Sequence, residues 1–352
     1  MTRIVILYSE LADYTLGCLD ELVESGEAEV LLVHWRVNPE APFKLSLNPK
    51  IRTIVKGSTG RSELKKNIAD FNPDGIMVSG WLDKDYLWLI RQFKNVPVRI
   101  LALDNPWKGN LKQTVARLVF PFTLGRLFNF CWVPGPTQRK YALKLGFSEQ
   151  QVGLGYYSAR TGPFLEWGRI GAEAKKNNFP KVFLYSGRYY EFKGLPELWT
   201  AFQIFSTDFP DWELWCAGTG SIKPVSHPKI KHLGFVQPRD FEKLVQRAGV
   251  FVMPSRYEPW GVALHEMAAA GFPLLVSDKV ESRIDFLKEG KNGFVFKSED
   301  VIGLVAKMKI FARSSTDELL EMGEVSRTLS EKNSPSKWTS RLLHLMKNYV
   351  WN

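Results

Sequence analysis

The sequence predicts an α/β protein made of two doubly wound, parallel-sheet domains in tandem, joined by a short polar stretch. Three observations carry this. The chain has 352 residues, and an ordinary domain runs to roughly 100–200. Short apolar runs rich in β-branched residues alternate with segments of helical periodicity, the pattern of strand–helix–strand units. That alternation breaks once, in the polar stretch 161–180, before resuming at Val182-Phe183-Leu184-Tyr185.

In the first half, strands are expected at Ile4–Tyr8, Val30–His34, Ile51–Val55, Gly75–Ser79, Arg99–Leu103, Cys131–Val133 and Val152–Leu154. Helical segments such as Leu16–Glu24, Ser62–Phe71 and Asp85–Phe93 lie between them. The second half repeats the scheme near Glu213–Ala217, Ile230–Phe235, Val250–Met253, Leu274–Ser277 and Gly293–Phe296, with helices at Asp240–Ala248 and Val262–Ala270. Two Rossmann-like domains result, 1–162 and 181–334, with 163–180 as linker. Beyond Glu299 the pattern is helical. The amphipathic stretch Ser336–Val350, carrying Trp338, Leu342, Leu343, Leu345 and Met346, makes 335–352 a helix expected to return to the N-terminal domain.

Composition narrows the function classes. With 45% hydrophobic and 24% charged residues there is no disorder signature, and no segment has the roughly 20 uninterrupted apolar residues of a membrane span. Thr2–Tyr8 reads as a first strand, not as an export signal. Cys18, Cys131 and Cys216 are odd in number and far apart, which suggests buried, reduced thiols in a cytoplasmic protein. A net charge of +10, spread over both halves, suits phosphorylated small molecules, anionic lipid or nucleic acid.

Two loops concentrate the chemistry. The first, Ser186-Gly187-Arg188-Tyr189-Tyr190-Glu191-Phe192-Lys193-Gly194, follows a predicted strand and precedes a helix. Its glycines admit a ligand close to the backbone, and Arg188 and Lys193 offer a forked and a point cation, both suited to a diphosphate. An ordinary basic loop has the same look. The second, Pro254 to Gly271, holds Glu258-Pro259-Trp260-Gly261-Val262 at the start of a helix and Glu266 within it, so the first helical amides can face a phosphate. Eight residues of helix would separate the two carboxylates by roughly 12 Å, too far for a glycosidase acid pair. As bland alternatives, Glu258 is a cap and Glu266 a solvated face residue. The first strand is followed by Ser9-Glu10-Leu11-Ala12 and not by G-x-G-x-x-G, which disfavours a dehydrogenase.

Taken together, these motifs resemble the family-four retaining glycosyltransferases. The matching residues are Gly187, Arg188, Lys193 and Gly194; Gly218-Thr219-Gly220; Gly234-Phe235-Val236; and Glu258-Pro259-Trp260-Gly261 followed by Glu266, Ala269, Gly271, Pro273 and Ser277. The resemblance, strongest over 181–298, implies a GT-B fold with two Rossmann-like domains facing a cleft. It implies that Arg188 and Lys193 hold the donor diphosphate, Glu258 contacts the transferred sugar, Glu266 binds the ribose, and Gly234–Val236 lie near the base. Gly187, Gly218, Trp260, Gly261 and Val262 complete the expected donor site, and Arg188, Lys193 and Glu258 are the expected catalytic residues.

On the acceptor side, Ser9, Gly80, Asp104 and Asn105 are candidates because they follow strand ends, where α/β sheets bind ligands; turns and caps use the same residue types. Asp83-Lys84-Asp85 spells a metal-binding D-x-D but starts a predicted helix, so a cap is expected and no metal or other cofactor is. From Asn105 to Ser148 no acidic residue occurs, while Lys108, Lys112, Arg117, Arg126, Arg139, Lys140 and Lys144 are interleaved with aromatics, as suits an anionic membrane surface. The expected protein is therefore a cytoplasmic, metal-independent hexosyltransferase, peripheral at the inner membrane face. It would move a sugar from a nucleotide diphosphate, UDP ahead of GDP, to a glycan or lipid-linked glycan, with no nucleic-acid partner. The alternatives are a GT-B synthase of a small soluble glycoside and a non-catalytic sugar-nucleotide-binding or membrane-scaffold protein.

Overall fold

The computed structural model describes residues 1–351 apart from Ala41 and Leu45. The chain divides into two compact units: Met1–Asn38, Leu45–Ser158 and Asn333–Asn352 form the first, and Pro39–Lys44 with Ala159–Lys332 the second.

In the first unit the elements run β1 (Thr2–Tyr8), α1 (Asp13–Glu24), β2 (Ala28–His34), β3 (Arg52–Val55), α2 (Arg61–Phe71), β4 (Gly75–Ser79) and α3 (Lys84–Gln92). They continue with β5 (Val98–Ala102), α4 (Leu111–Val119), β6 (Phe130–Val133), α5 (Pro136–Lys144) and β7 (Val152–Leu154). The sheet is parallel throughout, in the order β3-β2-β1-β4-β5-β6-β7. Both faces are covered, which is why β1 reads as an unbroken apolar run from Ile4 to Tyr8. Ile4, Ile6 and Tyr8 join one core cluster and Val5 and Leu7 another, as the two-residue side-chain period requires. The chain's last helix packs against α1 and supplies Trp338, Leu342 and Met346 to the first cluster, where Trp338 stacks on Trp132 at 4.9 Å.

The second unit contains α6 (Thr161–Lys175), β8 (Val182–Ser186), α7 (Leu195–Asp208), β9 (Glu213–Ala217), β10 (Ile230–Gly234), α8 (Phe241–Arg247) and β11 (Val250–Met253). Then come α9 (Val262–Ala269), β12 (Leu274–Ser277), α10 (Arg283–Phe286), β13 (Gly293–Phe296), α11 (Val301–Arg313) and α12 (Thr316–Ser330); α13 (Pro335–Asn348) is the helix that returns to the first unit. This sheet is also parallel, in the order β10-β9-β8-β11-β12-β13. One face is covered by α7 and α11, with Phe183, Phe202, Phe205 and Phe311 at its centre.

Two sequence expectations are corrected here. Residues 163–180 are not a linker: most of them form α6, whose Phe164, Gly168, Gly171 and Lys175 are buried against α8 and α9. Most of the polar residues that suggested a linker, Glu173, Lys176, Asn177 and Asn178, are exposed at or just beyond its C-terminal end, while Lys175 among them is buried. The segment Pro39–Lys44, read as part of the first domain, packs in the second unit instead.

The helix starts follow their local chemistry. Asp83 caps α3 by accepting from the amides of Asp85 and Tyr86, and Ser315 with Glu318 forms a capping box on α12.

Candidate active site

In each unit the chain order reverses between two neighbouring strands, β1 and β4 in the first and β8 and β11 in the second. Such a switch point opens a crevice at the strands' carboxyl ends. The two sequence-predicted loops are the ones leaving β8 and β11, so the sheet alone brings Gly187–Gly194 beside Pro254–Gly261.

Lys193 and Glu258 meet there. Nζ donates to Oε2 at 2.5 Å, and the two side chains keep only 17% and 10% of their surface in water. Ser255 Oγ also reaches Glu258 Oε2, at 3.5 Å. Glu258 is thus not a helix cap. The cap position of α9 belongs to Gly261, which takes a left-handed φ of +95° and has no side chain to occupy the first amides of the helix. The loop is held from behind by the β12–α10 connection. Glu258 N donates to Lys279 O, Glu281 N to Glu258 O, Ser282 N to Trp260 O and Ser282 Oγ to Gly261 O, all at 3.0–3.2 Å. Trp260 is buried, and its indole N–H has no hydrogen-bond partner among the described residues. Glu266, half-buried, lies one turn into α9 from Val262.

The remaining donor-side candidates converge on the same edge. Gly187 N donates to Ala217 O at 3.0 Å and Gly218 N to Gly234 O at 2.7 Å, tying the ends of β8, β9 and β10 together. Gly218 has φ +146°, and a Cβ there would strike the Gly187 carbonyl, so only glycine lets these two turns approach so closely. Phe235 and Val236, half-buried, follow β10 directly. The Arg188 guanidinium sits 6.0 Å from the Tyr190 ring centroid, and Tyr185 Oη donates to Arg188 O at 2.9 Å. Burial, with the nearby Glu258 charge, pushes the Tyr185 phenol well above its usual range, so it stays a neutral donor.

Several contributors were not legible in the sequence. Pro39–Lys44 lies over this edge: the Tyr190 hydroxyl donates to the Glu40 carboxylate, Gln237 Nε2 donates to Pro42 O at 2.9 Å, and Phe43 meets Phe235 edge-on with centroids 5.1 Å apart. Arg256 was also missed. It bonds Glu197 and Glu191, and Glu197 first among them holds its guanidinium above the usual value. This fastens the β11 loop to α7. His265 proves to be buried structure: its ring accepts from Ala159 N at 3.0 Å, donates to Ser330 O at 2.9 Å and stacks on Phe286.

In the first unit, Ser9, Gly80 and Asp104 follow β1, β4 and β5, three adjacent strands. Ser9 N donates to Ser79 Oγ at 2.8 Å, Gly80 N to Ala102 O, Tyr157 Oη to Asp104 Oδ2 at 3.2 Å and Asn105 Nδ2 to Asp104 Oδ1 at 3.1 Å. All four acceptor candidates therefore share one sheet edge within that unit. Asp83 and Asp85 are engaged elsewhere: Lys56 pairs with both, and Arg61 with Asp85.

Two parallel-sheet units in tandem, the second with paired charged loops at its switch point, constitute the GT-B fold of glycosyltransferases. Residues 169–328 match the family model described as glycosyl transferases group 1. Glycogen synthase of Mycobacterium tuberculosis is 30% identical over 139 residues, which is 37% of this chain and 33% of that protein. The matches span only 16 to 33% of the first three curated relatives. Among solved structures, sucrose-phosphate synthase from Thermosynechococcus elongatus aligns with a TM-score of 0.74 at 16% identity, covering 99% of both chains. A structure described as trehalose-6-phosphate from E. coli bound with UDP-2-fluoro glucose aligns at 0.73 and 12%, covering all of both chains.

Proposed function

We propose that this protein is a retaining glycosyltransferase that takes a hexose from a nucleotide diphosphate, UDP ahead of GDP, and passes it to a glycan or lipid-linked glycan. The observation that carries the reading is the Lys193–Glu258 pair at the mouth of α9, beside Arg188 and the uncapped amides at Gly261 and Val262. Cations and oriented amides stabilise a departing diphosphate. Glu258 then contacts the sugar, Glu266 the ribose, and Phe235 and Val236 border the base, with Gly187 and Gly218 keeping the floor low and Trp260 packed beneath. The sugar's bond to the diphosphate oxygen breaks as the acceptor hydroxyl oxygen bonds the same carbon on the same face. The acceptor's proton passes to the leaving phosphate oxygen. This chemistry asks for no metal and no enzyme nucleophile.

UDP is favoured because a neighbour of the same fold is described as bound with UDP-2-fluoro glucose. A cytoplasmic protein, peripheral at the inner membrane face, fits three free, buried cysteines and the acid-free basic segment. Among the described residues no helix is long and apolar enough to cross a membrane. A second reading, a synthase of a soluble glycoside, draws on a 28% identity over 133 residues to a sucrose synthase.

The test is incubation with UDP- and GDP-hexoses, following nucleotide release and the product's anomeric configuration by NMR. Thermal stabilisation by each nucleotide diphosphate supplies a parallel measurement, about 2.7 kcal/mol at a hundred times the dissociation constant. Release of an inverted product, or no stabilisation by any nucleotide diphosphate, would overturn the assignment.

A further inference from the structure

The basic segment of the first unit presents a different surface from the aromatic one its sequence suggests. Phe120, Phe128, Phe130, Trp132 and Tyr141 are buried in the two core clusters of the first unit, Phe130 and Trp132 from β6 and Tyr141 from α5. What faces outward is mostly aliphatic, with Phe122 as its one exposed ring among the described residues. Of the nine residues of α4 only Gln113 is buried, while Leu111, Val115, Leu118 and Val119 are exposed, as is Phe122 in the turn that follows. Leu118 retains 65% of its surface and Phe122 71%. Positions 111, 115, 118, 119 and 122 recur at helical spacing, so they form one stripe. A stripe of this kind normally faces a core; here it faces out.

The helix is preformed in that orientation. Asn110 caps it through Gln113 N at 2.9 Å, and the buried Gln113 side chain fixes its inner side by donating to Pro106 O at 2.8 Å and accepting from Lys108 N at 2.6 Å. Around the stripe, Lys108, Lys112, Arg117 and Arg126 are exposed. Lys112, Arg117 and Arg126 make no ion pair among the described residues. The other cations of the segment are partly spent: Arg139 pairs with Glu149, and Lys144 lies over the Trp107 ring at 5.0 Å.

We infer that α4 and the turn Phe120–Phe122 lie in the plane of an anionic phospholipid bilayer, with the aliphatic stripe at the boundary of headgroup and acyl chain and the surrounding cations on lipid phosphates. An exposed apolar stripe rimmed only by positive charge matches a surface that is apolar within and negative at its rim. Nine residues rise only about 14 Å, which suits lying on a bilayer and not crossing it. The inference rests on the lipid-linked acceptor reading for its purpose, since it would bring the first unit to the acceptor, but not for its test.

Sedimentation with vesicles of phosphatidylcholine containing phosphatidylglycerol, without donor or acceptor, measures binding alone. Wild type should bind at 50 mM salt and release as salt rises, since the attraction is screened over about 10 Å. Replacing Leu111, Leu118 and Phe122 by serine should weaken binding about tenfold or more, as should replacing Lys112, Arg117 and Arg126 by glutamine, which should also abolish most of the salt dependence. All six side chains are exposed, so the circular dichroism melt should not move. Three results overturn the inference: no binding by wild type at low salt, equal binding to purely phosphatidylcholine vesicles, or a self-association abolished by the serine variant while vesicle binding is unaffected. Vesicle binding without sugar transfer would instead sink the transferase reading and leave this one standing.

Discussion

Lys193 Nζ and Glu258 Oε2 lie 2.5 Å apart although 65 residues of chain separate them, and both are largely shielded from water. Removing one member of such a pair leaves the other shielded and unpaired. Lys193→Ala should therefore lower transfer and also cost about 1–3 kcal/mol of stability, read from denaturant unfolding. The double change Lys193→Met, Glu258→Gln should regain most of that stability and none of the activity. Wild-type turnover in the double variant would refute the assignment.

Arg188, whose guanidinium sits 6.0 Å from the Tyr190 ring centroid, is expected to act through its charge on the leaving diphosphate. Arg188→Ala should reduce transfer by about a hundredfold or more while leaving the melting temperature close to that of wild type. Since Arg188, Lys193 and the α9 amides supply the charge, activity should persist in EDTA. Loss of activity on chelation, restored by manganese, would reverse that expectation.

Phe43 meets Phe235 edge-on at 5.1 Å. An aromatic pair of this geometry contributes about 0.5–1.5 kcal/mol beyond the area it buries, so Phe43→Ala should weaken nucleotide binding roughly three- to tenfold if Phe235 borders the base. Titration calorimetry with UDP measures this. Unchanged affinity would remove Pro39–Lys44 from the donor site.

Lys175 gives a pH signature. Burial, reinforced by the positive charge of Arg327, brings its ammonium from 10.5 down to about 7, with the Phe272 face 4.5 Å away as partial compensation. Between pH 7 and 10.5 the unfolded chain holds this proton and the folded chain does not, so stability rises with pH across that window; the penalty is complete below it. Lys175→Met should raise the melting temperature most at pH 7 and below, and progressively less towards pH 10. A constant difference between the two proteins over this range would contradict the buried cation.

Parallel strands were legible because burial on both faces demands uninterrupted apolar runs, as in Ile4–Tyr8. The two charged loops were legible as candidates because Gly218 and Gly261 occupy backbone conformations that other residues resist, beside Arg188 and Glu258 in the sequence. Periodicity carries no sign, however: the stripe of α4 has the same spacing whether it faces a core or the outside. Nor does any local pattern reveal that Glu40 pairs with Tyr190, 150 residues on. Segment 163–180 misled because a polar helix end imitates a linker.

The return of α13 to the first unit has a consequence for synthesis on the ribosome. Domains generally fold in the order they are made, at about 5–20 residues per second. Here the order is inverted. Everything the second unit needs, Pro39–Lys44 included, has been translated once Lys332 is made, whereas the first unit still lacks Trp338, Leu342 and Met346 for the face that holds Ile4, Ile6 and Trp132. The earlier-made half must wait with that face open until Trp338, Leu342 and Met346 have been made. A nascent chain stalled there is a client for chaperones, and a nonsense codon after Lys332 would yield a product marked for proteolysis even though every residue of the second unit is present.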